Sequence, residues 1–403
     1  MTSIPHHRVL WVTCWCTLLV GPLQSQQTSD TASIVKSYNY VLGTQAIGGK
    51  YQFTKHDPLV EAAQVIAAMG ATVMKFDLRP RLKAEPKVRS VRDLARQPAQ
   101  RQVLDMPFAN YQMWAETFVE TAWKQGFSKA HAEAEYREIY DLTADLLKTY
   151  SGTGKTFFLG HWEGDNLLRE EIGPKGDARM TPEAVQGMIA WLTTRQRAVD
   201  DAKRDTPHQQ VQVWHYTELN HPTISLNEGR PSLVNQVLPF VPVDFVSYSA
   251  YDVTNEPEVE KIKAALDFIE SKLTPKPEIS GKRVFIGEYG YTVFNNGKPS
   301  RTAQEQNDLS LIPIQAGLEW GCPFILYWEL YNNELDKDGR HRGYWMIDDQ
   351  GVKQPIYDTH RRYYVWARDF VTQAIARSGR PPGETEFRQA AAAYFKALPQ
   401  AKR

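Results

Sequence analysis

The sequence predicts an α/β fold, a (β/α)₈ TIM barrel in a single domain with long loops and a short C-terminal helical tail. Short β-rich runs alternate with helical stretches from about Val35 onward, which is the pattern of a parallel α/β fold. The chain has 403 residues, enough for a barrel of about 250 residues with extra loops. Two β-rich runs end in a glutamate, Glu163 and Glu288, beside a glycine-containing loop. Barrel enzymes keep their catalytic residues at this end of the strands.

The pattern divides the chain into three parts. A weakly basic start precedes the apolar run Val9–Val20, which is too short to span a bilayer, and Ser25 supplies a small residue for cleavage. Residues 1–25 are therefore predicted to be a signal peptide, and the mature protein is predicted to be secreted or periplasmic. The barrel is predicted over 35–376, followed by a helical tail over 377–403 that we expect to be a surface appendage.

The first four strands are predicted from apolar and β-branched runs. Asp57 before Pro58 is an N-cap signal for the first helix, which ends near Met69. The third run can be read with period two or as a helix continuing towards Trp123, and we choose a strand because an eightfold barrel needs one there. A basic segment, Arg79–Gln102, lacks periodicity and is predicted to be a loop over the barrel mouth. The predicted strands are Tyr38–Thr44, Thr72–Leu78, Asn110–Phe118 and Thr156–Trp162.

The second half of the chain repeats the same alternation. Thr181, which precedes Pro182 and Glu183, is an N-cap signal for the helix after the fourth strand. The predicted strands are Val211–Thr217, Asp244–Ala250, Arg283–Gly287 and Pro323–Trp328. The predicted helices are Ser128–Tyr150, Thr181–Lys203, Pro257–Leu273, Thr302–Trp320 and Tyr357–Ala376, with an alanine-rich helix near Ala390–Ala397 in the tail.

Charge and cysteine usage narrow the choice of partners. Lys+Arg and Asp+Glu both number 47, so no net field favours nucleic acid, an anionic membrane or an acidic polymer. With Cys14 and Cys16 in the signal peptide, Cys322 stands alone, which excludes an intramolecular disulfide and a cysteine metal site. We therefore expect a monomer that binds a neutral oligo- or polysaccharide, without nucleic acid, and without a membrane after signal cleavage.

The two strand-end glutamates suit glycoside hydrolysis. Cleavage of a glycosidic bond needs one carboxyl group that protonates the leaving oxygen and a second carboxylate on the other face of the sugar. Glu163 and Glu288 would supply these from opposite walls of one barrel, and Asp165 and Glu218 are alternatives for the acid. The histidines lack a compact metal-ligand spacing, so no metal or organic cofactor is expected. Other predicted substrate contacts at the mouth are His161, Trp162, Tyr248, Tyr251 and Trp328.

On these residues the chain resembles the glycoside hydrolases of clan A, the barrel superfamily of cellulases and β-mannanases, over about Tyr38–Ala376. The resemblance implies that Glu163 is the acid/base, that Glu288 is the nucleophile, and that Trp328 floors the sugar site. It also implies a tyrosine after strand 6, for which Tyr248 and Tyr251 are candidates, and it matches Arg79 to an arginine after strand 2. Most clan A enzymes have asparagine directly before the acid/base, whereas this chain has Trp162.

The resemblance implies a retaining β-glycosidase. Together with the predicted signal peptide and the balanced charge, it leads us to expect an exported enzyme that cleaves a neutral β-linked glycan. Two other functions stay open. One is a carbohydrate-binding barrel without catalysis, which the Trp162 departure permits. The other is a barrel hydrolase that acts on a non-sugar ester or amide.

Overall fold

The computed structural model describes residue 1 and residues 31–80, 87–119, 123–169, 180–254 and 257–398. Eight parallel strands close into a barrel in which each strand pairs with the next one along the chain and the eighth pairs with the first. The predicted (β/α)₈ fold is therefore confirmed. The strands β1–β8 are Leu42–Ala46, Val73–Leu78, Asn110–Ala115, Thr156–Gly160, Gln212–Leu219, Phe245–Ser249, Val284–Tyr289 and Ile325–Tyr327.

Helices surround the barrel as the alternating pattern predicts. The predicted caps are present, since the Asp57 carboxylate accepts from the Leu59 amide and the Thr181 hydroxyl accepts from the Ala184 amide. The long helices are Pro58–Met69, Lys129–Thr149, Pro182–Asp205, Val259–Glu270, Ala303–Trp320 and Pro355–Ser378. Short helices lie at Gly164–Leu168, Pro222–Glu228, Leu233–Gln236 and Tyr251–Thr254.

Two local predictions need correction. The segment Arg79–Gln102 is not a plain loop, because helices Val91–Ala95 and Pro98–Asp105 occupy much of it, while residues 81–86 lie outside the described part of the chain. These two helices are short, so the apolar residues of their buried faces repeat too few times to show a helical period in the sequence. Strand β1 begins four residues later than predicted because Tyr38 and Tyr40 pack against Phe387 instead of entering the sheet.

The C-terminal tail packs onto the barrel and is not an appendage. The helix Glu384–Lys396 buries Phe387 and Phe395, and the Phe395 ring lies 5.0 Å from that of Tyr363 on the preceding helix. The tail therefore completes the hydrophobic core below β1.

The predicted signal peptide, residues 1–25, falls outside the described residues. Among the residues that are described, none of the helices has the length and apolarity needed to cross a bilayer.

Candidate active site

A buried ionic cluster lies inside the barrel beneath its C-terminal mouth. The Lys75 ammonium on β2 is 2.8 Å from a carboxylate oxygen of Glu218 on β5 and 2.8 Å from one of Glu288 on β7. Lys75 and Glu218 are fully buried, and Glu288 is 2% exposed. Glu218 also accepts from the Ser247 hydroxyl at 2.7 Å and from the Glu163 backbone amide at 3.1 Å. One cation thus holds two carboxylates in a fixed arrangement.

A register shift in β7 aims Glu288 into the barrel. Tyr248 on β6 pairs with Ile286, but the next residue, Ser249, pairs with Glu288, so Gly287 is an extra residue on β7. Such a bulge re-aims the following side chain. A Cβ at Gly287 would lie 1.8 Å from the Ser247 hydroxyl oxygen, so only glycine leaves room for Ser247 beside Glu218.

Glu163 lies on the loop after β4 and is half-buried, so it can be reached from the mouth. One of its carboxyl oxygens, Oε2, accepts from the Asn166 side-chain amide. The strand beneath it ends at Gly160, where a Cβ would lie 2.2 Å from the Tyr216 ring. Glycine at the end of β4 therefore lets the Tyr216 ring fill the barrel directly below this loop.

A single hydroxyl group connects the two glutamates. Ser249 Oγ, at the end of β6, is 2.9 Å from Glu163 Oε1 and 3.2 Å from Glu288 Oε2. Those two carboxyl oxygens are therefore at most about 6 Å apart, which is the sum of the two distances. The structure brings Glu163 and Glu288 together at one mouth.

Burial and charge set the protonation of this site. Full burial alone would lower the pKa of Lys75, but the Glu218 and Glu288 charges outweigh it and raise the pKa. Burial and then the Glu218 charge raise the pKa of Glu163 to about 7. Burial also raises the pKa of Glu288, to about 8, against the Lys75 ammonium, which lowers it. The two carboxyl groups titrate as a pair that shares one proton near pH 7. Although the pKa of Glu288 is raised further, Lys75 contacts only Glu288 of the two, so we place the negative charge on Glu288 and the proton on Glu163.

Four predicted substrate contacts lie around these glutamates. Trp328 is 6% exposed, and its ring nitrogen donates to Glu334 at 3.1 Å. Trp162 and Tyr251 are partly exposed and pack against the aromatic cluster that includes Trp328. Arg79 is a rim residue, with its Nε 2.9 Å from Glu116 Oε1. The mouth therefore presents aromatic faces beside the carboxyl pair.

Three other predicted contacts turn away from the mouth and need correction. Asp165 is 1% exposed and accepts from the backbone amides of Asn220, His221 and Leu233, so it holds loops together. Tyr248 is fully buried in the core that surrounds the barrel, and its hydroxyl donates to Asp252.

His161 is also fully buried, with its ring nitrogens 2.8 Å from the Thr217 hydroxyl and 3.0 Å from the Trp162 carbonyl oxygen. Burial lowers the pKa of His161 to about 4, which leaves the ring neutral. It shapes the loop that carries Glu163 and does not face the mouth.

Sequence reasoning missed several residues of the site. Lys75, which the sequence analysis did not single out, is the cation beside Glu288. The feature that could have identified Lys75 is its position in the middle of the apolar strand Val73–Leu78, because an unpaired charge there would be costly. Ser247 and Ser249 follow period two on β6 and so share its inner face, but serine alone carries no chemical signature.

The barrel is similar to solved structures of glycoside hydrolases. The exo-β-1,4-mannosidase Op5Man5 from Opitutaceae bacterium strain TAV5 superposes with a TM-score of 0.53 at 12% identity, over 81% of this chain and 59% of that chain. A GH5_18 structure from Streptomyces cattleya in complex with GlcNAc has a TM-score of 0.52 at 12% identity, over 88% and 89%. A GH5_18 structure from Bifidobacterium longum subsp. infantis has a TM-score of 0.52 at 14% identity, over 81% and 78%.

The chain spans about three fifths of the mannosidase structure. A comparison with protein-family models gives no match, and neither does a comparison with curated protein sequences. At identities of 12–14% the likeness to these glycoside hydrolase structures establishes the fold alone, a (β/α)₈ barrel. A fold hosts many functions, and the activity has to be argued from the site.

Proposed function

We propose that this protein is a retaining glycoside hydrolase that cleaves a neutral β-linked oligo- or polysaccharide. The observation that carries the proposal is the placement of Glu163 and Glu288 at one barrel mouth, bridged by Ser249, with the bridged oxygens at most about 6 Å apart. Retaining enzymes hold their carboxyl groups about 5–5.5 Å apart, and inverting enzymes about 6.5–9.5 Å apart. The bound favours retention.

The two glutamates differ in the way that this mechanism requires. Glu288, ionised beside Lys75, attacks the anomeric carbon and forms a covalent glycosyl-enzyme, while Glu163 gives its proton to the departing glycosidic oxygen. Glu163, now a carboxylate, then takes a proton from the water that releases the sugar. Its raised pKa, about 7, suits both the acid and the base step near neutrality.

Aromatic faces and paired charges support a neutral sugar as the substrate. Trp162, Tyr251 and Trp328 provide flat apolar surfaces at the mouth. Lys75 and Arg79 are both paired with carboxylates, Lys75 with Glu218 and Glu288, and Arg79 with Glu116. A uronate would find neither of them free. We also propose that the chain is exported through its N-terminal segment and acts as a monomer.

The test is hydrolysis of a panel of aryl β-glycosides and β-linked polysaccharides by the purified protein and by its Glu288→Ala variant. We expect turnover of at least one neutral substrate, and a loss of about 10⁴-fold or more in the variant, as for the removal of a nucleophile in other enzymes. Added azide should partly restore cleavage by occupying the space of the carboxylate. Circular dichroism controls for folding.

Three outcomes would change or refute the proposal. Saturable binding of a glycan with no turnover would favour the carbohydrate-binding barrel. Near-normal hydrolysis by a folded Glu288→Ala variant would refute the two-glutamate mechanism. Hydrolysis of aryl esters without any glycoside would favour the non-sugar hydrolase.

A further inference from the structure

Ser249 occupies a position that constrains where a proton can reside. It is the last residue of β6, fully buried, and pairs with Glu288 across the sheet. Its hydroxyl oxygen lies 2.9 Å from Glu163 Oε1 and 3.2 Å from Glu288 Oε2, both within hydrogen-bond distance. A serine hydroxyl carries a single hydrogen. It can therefore donate to only one of these two oxygens, and the other contact needs a hydrogen from the glutamate.

The surroundings decide which glutamate supplies that hydrogen. Glu288 Oε1 is 2.8 Å from the Lys75 ammonium, so Glu288 is held as a carboxylate, which only accepts. The Ser249 hydrogen is then directed to Glu288 Oε2. Glu163 Oε2 accepts from the Asn166 amide, which leaves Oε1 as the oxygen that carries a proton and donates to Ser249.

We propose that Ser249 is a positioning residue that keeps the proton on Glu163 by linking it to ionised Glu288 through two hydrogen bonds in series. Glu163 Oε1 donates to Ser249 Oγ, and Ser249 Oγ donates to Glu288 Oε2. If both glutamates were ionised, lone pairs would face each other at one of the two contacts, at 2.9 or 3.2 Å. The hydroxyl thus favours the singly protonated pair.

The same hydroxyl serves the second step of the proposed reaction. Once Glu163 has given its proton to the leaving group, Glu288 is an ester and no longer attracts the Ser249 hydrogen. The hydroxyl can then rotate and donate to the Glu163 carboxylate, which stabilises it as the base. This role in catalysis rests on the proposed function, whereas the location of the proton does not.

Other charged groups around the pair do not replace Ser249. Lys75 contacts Glu288 and Glu218, and Glu218 accepts a hydrogen bond from the backbone amide of Glu163. The titratable groups that act on the two glutamates or face them across the mouth include Lys75 on β2, Tyr216 and Glu218 on β5, Tyr251 after β6, and Glu329, Glu334 and Tyr344 after β8.

The experiment measures the pH dependence of kcat/KM on an aryl glycoside for the wild type, Ser249→Ala and Ser249→Thr. In the wild type the activity should fall as pH rises through about 7, the pKa of Glu163. In Ser249→Ala this upper limb should move down by up to about one pH unit, the size expected for loss of the hydrogen bond that protonated Glu163 donates. Ser249→Thr keeps the hydroxyl and should restore the limb.

If the upper limb of the pH profile stays in place in Ser249→Ala, even with a lower rate at every pH, Ser249 has a purely structural role and the inference is overturned. An upward shift would show that the hydroxyl donates to Glu163 in the resting enzyme, which also contradicts it. Infrared titration of the carboxyl groups without substrate, with Glu163→Gln used to assign the Glu163 band, measures the same pKa independently of activity. If the wild type hydrolyses no glycoside, this titration still decides the inference while the proposed function fails alone.

Discussion

Two places at the barrel mouth, the end of β7 and the loop after β4, treat the same type of side chain in opposite ways. On the β7 side, Glu288 is 2% exposed and its carboxylate is 2.8 Å from a fully buried ammonium group, that of Lys75. On the β4 side, Glu163 is half-buried, and its carboxyl oxygens contact the neutral side chains of Asn166 and Ser249.

This difference shows how two glutamates in one barrel can act as an acid and as a nucleophile. Burial disfavours the charged form of both, but only one of them has a cation within contact distance to offset that cost. The roles therefore follow from the placement of Lys75, not from the glutamates themselves. Substitutions that abolish this difference in environment should therefore abolish the division into an acid and a nucleophile.

The largest expected effect is on the acid side. Glu163→Gln cannot donate a proton, so kcat on glycosides with poor leaving groups should fall by about 10²–10⁴, the usual contribution of general acid catalysis. Aryl glycosides whose phenols are strong acids need little protonation and should lose far less in the glycosylation step. Steady-state kinetics across a series of leaving groups provides the measurement. A loss that is equal for all leaving groups would show that Glu163 does not act as the acid.

A smaller effect is expected from the ionic side. Lys75→Met leaves Glu218 and Glu288 buried without their cation, so Glu288 should take up a proton and kcat/KM near pH 7 should fall by about 10²-fold. Breaking a buried ion pair should also cost about 3–5 kcal/mol of unfolding free energy, more at pH 8 than at pH 5, because the unpaired carboxylates are charged only at the higher pH. Chemical denaturation measures this cost.

Lys203→Met is a matched control for the Lys75 variant. Lys203 lies on the helix Pro182–Asp205, with its ammonium group 3.6 Å from the centre of the Trp214 ring. It should keep wild-type activity and show little change with pH between 5 and 8. If Lys75→Met also behaved this way, the comparison between the two sides of the mouth would be wrong.

The smallest effect concerns stability. Folding raises the pKa of Glu163 from 4.5 to about 7, so its contribution to stability is present below about pH 4.5 and is lost as pH rises through 7. Glutamine does not titrate, so the stability of Glu163→Gln relative to the wild type should increase by about 2–3 kcal/mol between these pH values. Thermal unfolding across this pH range is the check. A constant difference would place the pKa of Glu163 near its ordinary value.

The sequence predicted the barrel better than it predicted the limits of its strands. Strands β4 and β7 are well predicted because buried parallel strands appear as continuous apolar runs between turn residues. The β7 bulge at Gly287 could not be predicted, because the extra residue is defined only by its pairing with β6. The tail helix was predicted, but its burial against the barrel was missed, because an alanine-rich stretch does not show which surface Phe387 and Phe395 contact.

The site was predictable only where a residue carried its own chemistry. Glu163 and Glu288 stand out at the ends of apolar runs, so their positions could be inferred. Asp165 also follows an apolar run, but its carboxylate accepts hydrogen bonds from backbone amides. This role could not be predicted, because those amides belong to loops far from Asp165 in the chain. Ser249 lies between the two glutamates because of the register of β6 against β7, and the sequence does not reveal that register.

The central claim is that Glu288 is the ionised nucleophile opposite a protonated Glu163. The most direct test is mass spectrometry of the protein after reaction with an activated 2-deoxy-2-fluoro glycoside of the preferred sugar, which slows release of a glycosyl-enzyme. We predict a mass increase of one glycosyl unit, located by peptide mapping on Glu288 and absent from Glu288→Ala. Steady hydrolysis of the parent glycoside with no label on Glu288, or with the label on another carboxylate, would contradict the account.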